Sequence, residues 1–211
     1  MPEKPSLHHT TVRTLAHYDR SAEGFRDGTW EHDVTQNYQA LLDAIAGKGP
    51  YTILDLGCGP GRDLAYFKSQ GHVAVGLDGS QEFVDMAKAE TGCAVWHENF
   101  LELDLPPAHF DGIFANATLF HVPSQEIARV LGELHASLKP GGVLFSSNSR
   151  AMGPGGNQEG FQNERYCCYH DLESWQAYCV GAGFEELHHY YRPQGLPRAQ
   201  QPWLASVWRK P

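Results

Sequence analysis

The amino-acid sequence predicts an α/β fold in which a seven-stranded, mixed but mostly parallel sheet is flanked by helices. Apolar runs alternate with amphipathic helical segments from residue 51 to residue 148, which is typical of a parallel sheet with crossover helices. The last two β-type runs, 184–192 and 202–210, have no helix between them. They therefore predict an antiparallel C-terminal hairpin at one edge of the sheet.

The N-terminal region predicts two helices before the first strand. Apolar residues three and four positions apart indicate a helix over 14–25. Asp33 is the predicted N-cap of a second helix, which Gly47 or Gly49 stops. Residues 1–12 are polar and contain prolines, so we expect them to be frayed.

The remaining elements follow in regular order along the chain. Strands are predicted at 52–57, 72–78, 93–99, 110–117, 142–148, 184–192 and 202–210. Helices are predicted at 61–70, at 80–90 behind a Ser80 cap, at 124–138 behind Ser124 and at 172–182 behind Asp171. The glycine-rich stretch 149–164 has no period and is predicted to be a loop.

Composition narrows the possible partners. The 211 residues carry a net charge of −9 and no cluster of lysine or arginine, which argues against nucleic acid or an anionic membrane as the main partner. No apolar run is long enough to span a bilayer and no signal peptide is visible, so we expect a cytoplasmic protein. Five cysteines without CxxC spacing and twelve histidines without HxH or HExxH indicate neither disulfides nor a metal site.

The stretch "LDLGCGPGRD" places three glycines at alternate positions directly after the first predicted strand. Glycine is required where φ is positive or where a side chain would block a ligand, and ligands bind at the carboxyl ends of such strands. Gly57, Gly59 and Gly61 thus predict a ligand-binding turn. Arg62 breaks the dinucleotide pattern, and Asp55 suits an ammonium-bearing ligand better than pyrophosphate.

Polar residues follow the next strands as well. Asp78, 21 residues after Gly57, ends the second strand, where a carboxylate can accept both hydroxyls of a ribose. Asn99 at the end of the third strand can face an adenine amino group, and Asn116 at the end of the fourth would line the middle of the ligand.

Four stretches together, "LDLGCGPGRD", "GLDGS", "FDGIFANATLFHV" and "LKPGGVLF", resemble the class I S-adenosylmethionine-dependent methyltransferases, which share a Rossmann-like sheet. The resemblance implies S-adenosyl-L-methionine as cofactor and S-adenosyl-L-homocysteine as product. It also implies that Tyr18 belongs to an N-terminal lid and reaches the cofactor carboxylate. Asn99 departs from the aspartate that is frequent in the family. The expected cofactor-binding residues are Tyr18, Asp55, Gly57, Gly59, Gly61, Arg62, Asp78, Gly79, Ser80, Asn99, Phe100, Asn116 and Ala117.

The sequence shows no domain boundary, so the chain is interpreted as one methyltransferase domain over residues 1–211. Its expected parts are a helical cap (1–50), a cofactor-binding core (51–148), a substrate or lid loop (149–170) and a C-terminal helix with the hairpin (171–211).

Further stretches, including "YDRSAEGFRDGTWEHDVTQN", "YHDLESW", "HYYRPQGLP" and "QQPWLASVWR", resemble the C-terminal methyltransferase domain of the ovothiol-biosynthesis enzyme. The resemblance implies methylation of an imidazole ring nitrogen of 5-thiohistidine, giving ovothiol A. It also implies a covalent or separate partnership with a sulfoxide synthase.

Candidate catalytic and substrate residues follow from where the strands end. His121 can hydrogen-bond a bound imidazole or take its proton, and Asn116 and Asn148 can orient the ring. Arg165 is the preferred partner for a substrate carboxylate, with Arg150 and Arg192 as alternatives. The other expected substrate-binding residues are the aromatic side chains Trp30, Phe120, Tyr166 and Tyr169.

Three alternatives remain open at this point. The same scaffold can methylate another small-molecule amine, thiol or hydroxyl. A nicotinamide oxidoreductase or a non-catalytic nucleotide-binding module is disfavoured by the broken glycine pattern and by Asp55. A methyltransferase of proteins or nucleic acids lacks the basic groove that such substrates need.

Overall fold

A computed structural model describes residues 6–152 and 157–211. The helices are α1 (Leu7–Thr29), α2 (Thr35–Leu42), α3 (Arg62–Ser69), α4 (Gln81–Thr91), α5 (Ile127–Ser137) and α6 (Leu172–Gly181). The strands are β1 (Thr52–Leu56), β2 (Val73–Asp78), β3 (Ala94–His97), β4 (Phe110–Asn116), β5 (Leu138–Ser149), β6 (Gln158–Gln162), β7 (Arg165–Tyr169), β8 (Glu185–Arg192) and β9 (Trp203–Arg209).

Seven of these strands form the main sheet, in the order β3-β2-β1-β4-β5-β9-β8. The first five strands are parallel, and β9 pairs antiparallel with both β5 and β8. The predicted mixed sheet and its antiparallel C-terminal hairpin are therefore confirmed. The strand order reverses between β1 and β4, which is where this kind of sheet opens a crevice for ligands.

Helices cover both faces of the sheet because the buried strands are apolar on both sides. On one face, α2, α3 and α4 pack on side chains such as Ile53 and Phe114. On the other face, α5 and α6 pack on neighbouring positions such as Leu54 and Ile113. Successive residues of one strand thus belong to different cores, which fixes the register of the strands.

Two of the predicted caps form as expected. The Ser80 hydroxyl accepts the N–H of Phe83 at the start of α4, and the Asp171 carboxylate accepts the N–H of Ser174 at the start of α6. The Ser124 prediction was wrong, because α5 begins three residues later and the Ser124 hydroxyl donates to Glu159 instead.

The N-terminal helices differ from the prediction in length. α1 begins at Leu7, behind a Ser6 side-chain cap, and runs through Gly28 to Thr29, so residues 7–12 are helical rather than frayed. Residues 1–5 lie outside the described residues. α2 ends at Leu42, before either predicted glycine, and its N-cap is Val34, while Asp33 accepts the N–H of Thr35.

The prediction of a loop over 149–164 was wrong for residues 158–162, which form β6 and pair antiparallel with β7 as a hairpin. Asn163 and Glu164, both with positive φ, connect the two strands as a two-residue turn. The hairpin packs against α1, and the Tyr166 N–H donates to the Thr14 hydroxyl over 2.9 Å. Together α1 and the hairpin cover the crevice. Residues 153–156 of the predicted lid lie outside the described residues.

No helix among the described residues is long and apolar enough to cross a bilayer.

Candidate active site

A cavity of about 840 Å³ opens at the carboxyl ends of the parallel strands. The wall of the cavity has two parts that come from different regions of the chain. The motif wall consists of Gly57, Gly59, Asp78, Gly79 and Asn99, and the cover wall consists of Tyr18, Phe120, His121, Arg165 and Trp203. The volume is within the range that small-molecule sites occupy.

Two of the three glycines line the cavity, and each is needed for its backbone. Gly57 has a φ of +69°, and a Cβ built on it would lie 2.0 Å from the Thr118 hydroxyl. Gly59 has a φ of +52° and donates its N–H to Asp78. Gly61 does not line the cavity. A Cβ there would meet Ala87 of α4 at 3.0 Å, so the third glycine serves the close packing of α3 on α4.

Asp78 is the principal charged group of the motif wall. One carboxylate oxygen accepts the Gly59 N–H and the other accepts the Ser80 N–H, each over 2.9 Å. Each oxygen keeps a second lone pair for a ligand. Burial raises the pKa of Asp78 to about 6, and hydrogen bonds from the backbone of Ser80, Gly59 and Gly79 oppose that rise.

Asp55 does not have the position that the sequence suggested. It is 2% exposed and lies beneath the glycine turn, outside the cavity lining. Burial, followed by the charge of Asp63, raises its pKa well above the usual value. Its position outside the lining does not suit the direct contact with a ligand ammonium group that the sequence suggested.

The remaining residues that the sequence predicted to bind the cofactor divide into those that line the cavity and one that does not. Phe100, Asn99, Gly79 and Ala117 line the cavity, and Ala117 adopts a φ of +62°. Asn99 accepts the Leu101 N–H and donates to Glu102, so its carbonyl is partly engaged. Ser80 does not line the cavity, because its hydroxyl caps α4 and donates to Asp19.

A polar network continues from the glycine turn to β4. Arg62 makes two hydrogen bonds to the Asp63 carboxylate, at 2.7 and 3.0 Å. Asn116 donates weakly to Asp63 and accepts a hydrogen bond from Asn37 over 2.9 Å. Tyr190 in turn donates to Asn37. The arrangement fixes the orientation of the Asn116 amide at the cavity wall.

Sequence reasoning missed Asp63 and Asn37 in this network. Asp63 had a local signal, since a carboxylate in the first turn of a helix after a glycine turn faces the same crevice. Asn37 had none, because its partner Asn116 is 79 residues away and only the tertiary fold brings them together.

His121 lies on the cover wall with both ring nitrogens engaged. Its Nδ1 is 2.6 Å from the Tyr166 carbonyl oxygen, and its Nε2 is 2.8 Å from the Tyr18 hydroxyl. Burial lowers its pKa to about 4, so the ring is neutral near pH 7. Neither nitrogen is open for the direct contact with a substrate ring that the sequence suggested.

Arg165 is held beside this pair with spare hydrogen-bonding capacity. Its Nη1 donates to the Tyr18 hydroxyl over 3.3 Å, and its buried Nε has no hydrogen-bond partner within residues 6–152 and 157–211. Among the described residues, no carboxylate lies within ion-pair distance of this guanidinium. Arg192 also lines the cavity and donates to the Asp33 carbonyl, whereas Arg150 bonds three main-chain carbonyls outside it.

Four expected substrate or catalytic residues are not brought to the cavity. Asn148 is buried in β5, where its side-chain amide has no hydrogen-bond partner among the residues that the structure describes, and Trp30 packs on Arg26. Tyr166 contributes its carbonyl to His121, but its ring packs on Phe161 outside the cavity. Tyr169 donates to Gln162 of the hairpin.

Comparisons with known proteins agree with this geometry. Residues 53–142 match the family described as "Methyltransferase domain". An uncharacterized methyltransferase of Geobacillus sp. (strain WCH70) is 25% identical over 157 residues, which cover 74% of this chain and 73% of that protein. Trans-aconitate 2-methyltransferase of Azoarcus sp. (strain BH72) is 39% identical over 112 residues, 52% of this chain and 44% of that protein.

Among solved structures, the 1,6-didemethyltoxoflavin-N1-methyltransferase of Burkholderia thailandensis, with bound 1,6-didemethyltoxoflavin and S-adenosylhomocysteine, superposes with a TM-score of 0.81. The alignment covers 100% of this chain and 92% of that one at 24% sequence identity, so it shows the fold.

The chain has the Rossmann-like fold of class I methyltransferases, and residues 53–142 match a methyltransferase domain. The protein is a methyltransferase that uses S-adenosylmethionine. The motif wall fits this cofactor, because Asp78 offers two acceptor oxygens at the cavity surface and the neighbouring glycines leave backbone without side chains. The predicted enzyme class and cofactor are confirmed. The named acceptors of the relatives differ from one another, so the class does not define the acceptor.

Proposed function

We propose that this enzyme methylates an imidazole ring nitrogen of 5-thiohistidine, giving ovothiol A, with S-adenosylhomocysteine as the second product. The sequence resemblance to the ovothiol methyltransferase domain suggested this acceptor. The observation that carries the proposal is Arg165, a cavity-lining guanidinium without an ion-pair partner in the described part of the chain.

The unpaired Arg165 guanidinium favours an acceptor that carries an anionic group. A guanidinium has five N–H donors and no acceptor, and within the described part of the chain only Nη1 is engaged, by the Tyr18 hydroxyl. Leaving a buried donor unmade is costly, and a carboxylate satisfies two donors of arginine at once. The α-carboxylate of an amino-acid substrate supplies such a group.

The rest of the cover wall suits a flat, neutral ring. Phe120 lies with its ring centroid 6.1 Å from that of Trp203 and 4.3 Å from that of His121. Aromatic side chains of this kind pack well against another aromatic ring. The neutral state of His121 also avoids repulsion of an imidazole that acquires positive charge as it is methylated.

When bound, S-adenosylmethionine would supply an electrophilic methyl group, which would pass from the sulfonium sulfur to the ring nitrogen with S-adenosylhomocysteine as the leaving group. The protein's task is alignment and the exclusion of water. Arg165 and the aromatic cover wall hold the acceptor, while α1 and the β6–β7 hairpin close the cavity from solvent. A neutral imidazole nitrogen already has a lone pair, so no strong base is required, and the imidazolium that forms loses its N–H proton to solvent. The substrate sulfur is also nucleophilic, so it must be turned away from the methyl group.

The proposed substrate also defines the preceding step. A thiolated histidine must come from a reaction that forms a carbon–sulfur bond on the imidazole ring. A sulfoxide synthase, on the same polypeptide or separate, is the proposed partner for that step.

The first test is product analysis. The enzyme is incubated with S-adenosylmethionine and 5-thiohistidine, and in parallel with histidine, ergothioneine and small thiols, and the products are resolved by mass spectrometry and NMR. We expect an N-methyl product from 5-thiohistidine at a rate well above the others. Turnover of 5-thiohistidine to an S-methyl product, or faster turnover of another acceptor, would favour the alternative of a different small-molecule methyltransferase.

The second test concerns Arg165. Arg165→Gln should raise KM for the acceptor on the order of 10- to 100-fold, because a charge-assisted pair contributes about 1.5–3 kcal/mol. The Kd for the cofactor should stay within about twofold. Arg209→Gln is the matched control, since Arg209 donates to the Ala44 carbonyl and does not line the cavity. An unchanged KM in Arg165→Gln would remove the observation that carries the proposal.

A further inference from the structure

Four groups on the cover wall form one continuous series of contacts. The Arg165 guanidinium lies 3.3 Å from the Tyr18 oxygen, which lies 2.8 Å from Nε2 of His121. Nδ1 of His121 lies 2.6 Å from the Tyr166 carbonyl oxygen. The series joins α1, the 3-10 turn Leu119–His121 and β7, which are distant in sequence.

The chemistry of the two ends determines the direction of every bond between them. A carbonyl oxygen can only accept, so Nδ1 of His121 carries the proton and donates to Tyr166. In the neutral ring Nε2 then has a lone pair and no proton, so the Tyr18 hydroxyl donates to it. A guanidinium can only donate, so Arg165 also directs its hydrogen toward the Tyr18 oxygen.

We infer that these fixed bond directions make Tyr18 a hydrogen-bond acceptor toward the cavity, so that its oxygen accepts an N–H group of a bound ligand. The anionic group of the ligand then binds to Arg165. His121 is then a positioning residue, which acts on ligands through Tyr18. This reverses the role that the family resemblance gave Tyr18, because a tyrosine that reaches a carboxylate must donate its proton.

The charge states of the participating groups agree with this direction. Burial raises the pKa of Tyr18 against the lowering effect of Arg165, so the phenol keeps its proton. Burial lowers the pKa of His121 to about 4 against the raising effect of the hydrogen bond to the Tyr166 carbonyl, and the positive charge of Arg165 acts in the same sense as burial. The Cys167 sulfur lies 4.0 Å from Nδ1, and burial raises the pKa of this thiol.

Two ligand groups can supply the N–H. One is the ammonium group of the cofactor's amino-acid part. The other is the N–H of the methyl acceptor, and for that source the inference rests on the proposed function. The tests below separate the two.

The first test needs no ligand. Long-range ¹H–¹⁵N NMR of protein labelled on histidine nitrogen identifies the tautomer of His121 at pH 7, and a His121→Gln variant assigns the signal. We expect a protonated Nδ1 and an unprotonated Nε2. A proton on Nε2, or a fully protonated ring, would overturn the inference whatever substrate the enzyme uses.

The second test measures the affinity of Tyr18→Phe by calorimetry for S-adenosylhomocysteine and for two analogues, one without the ammonium group and one without the carboxylate. If Tyr18 accepts from the cofactor, the variant loses on the order of tenfold for the parent compound and nothing for the deaminated analogue. If Tyr18 donates to the carboxylate, the loss disappears for the decarboxylated analogue instead, and the inference is wrong.

The third test covers the acceptor as the source. Unchanged cofactor affinity together with a KM for the acceptor raised on the order of tenfold assigns the N–H to the acceptor. Unchanged cofactor affinity and unchanged KM together contradict the inference. Tyr51→Phe is the control, because the Tyr51 hydroxyl donates to Gly47 outside the cavity. If 5-thiohistidine is not a substrate, the KM is measured with whichever acceptor is turned over, so the two proposals fail separately.

Discussion

The motif wall and the cover wall enclose one cavity but are built in opposite ways. The motif wall comes from residues at or just after the carboxyl ends of β1, β2 and β3, and much of it is backbone. The cover wall joins α1, the 3-10 turn, β7 and β9, with Tyr18 and Arg165 147 residues apart. The first arrangement suits a cofactor common to a whole class. The second can change with few substitutions, which is what selection of an acceptor requires.

Removing the Asp78 carboxylate from the motif wall should give the largest effect, a loss of cofactor affinity. Asp78→Ala removes an acceptor for two ligand hydroxyls, each worth about 1.5–3 kcal/mol when bonded to a charged group, so cofactor affinity should fall by roughly 10²- to 10⁴-fold. Calorimetry with S-adenosylhomocysteine measures it.

The same change leaves the Gly59 and Ser80 N–H groups without partners, so the melting temperature is recorded alongside. Asp78→Asn is the control that keeps volume and one carbonyl acceptor. A folded Asp78→Ala variant with wild-type affinity would mean that the cofactor lies elsewhere.

This difference between the walls also explains what sequence reasoning could reach. The order of strands and helices was predictable, because apolar periodicity and caps such as Ser80 and Asp171 act within a few residues. The β6–β7 hairpin was missed because its strands are short and follow a glycine-rich segment. The asparagine at position 163, in a two-residue turn, was the available signal.

Within the site, spacing along the chain identified positions but not the directions of side chains. Asp55 and Asp78 both follow the pattern of an acid near a strand end, yet one is enclosed beneath the turn and the other faces the cavity. Tyr166 and Arg165 are adjacent in β7, and strand alternation sends only one of the two side chains to the cavity. Such choices depend on packing across the whole fold.

The protonation of Asp78 should give a smaller effect, a dependence of cofactor affinity on pH that distinguishes the motif wall from the cover wall. Because the pKa of Asp78 is about 6 in the cofactor-free protein, its carboxylate is protonated as the pH falls below that value. Cofactor affinity should then fall by up to about tenfold per pH unit, as expected for one linked proton. Asp78→Asn should not show this dependence, and His121 should contribute none between pH 6 and 8, since its pKa is about 4.

The same shift affects stability in a defined direction. The folded-state pKa of Asp78 lies above its usual value of 3.8, so the native state binds the proton more tightly than the unfolded chain. The contribution of Asp78 to the free energy of unfolding is therefore greatest below pH 3.8 and is lost as the pH rises through about 6. Urea denaturation of the wild type and of Asp78→Asn across this range isolates the contribution. The free energy of unfolding of the wild type minus that of the variant should fall as the pH rises, and a rise with pH would contradict the assignment.

The smallest expected effect tests what holds the cover wall closed. Arg20 of α1 and Glu164 of the hairpin form an ion pair at 2.8 Å, but their side chains are 60% and 52% exposed. Exposed pairs contribute about 0–1 kcal/mol, so Glu164→Gln should lower the free energy of unfolding by less than about 1 kcal/mol and leave KM nearly unchanged.

Thr14→Val is the matched comparison, because it leaves the buried Tyr166 N–H without its acceptor, at a cost of about 1–3 kcal/mol. Denaturant unfolding and acceptor kinetics on the two variants rank the contacts. If Glu164→Gln proved the more damaging, the surface pair rather than the buried contact would hold the hairpin on α1, and the alignment of Arg165 with Tyr18 would depend on ionic strength.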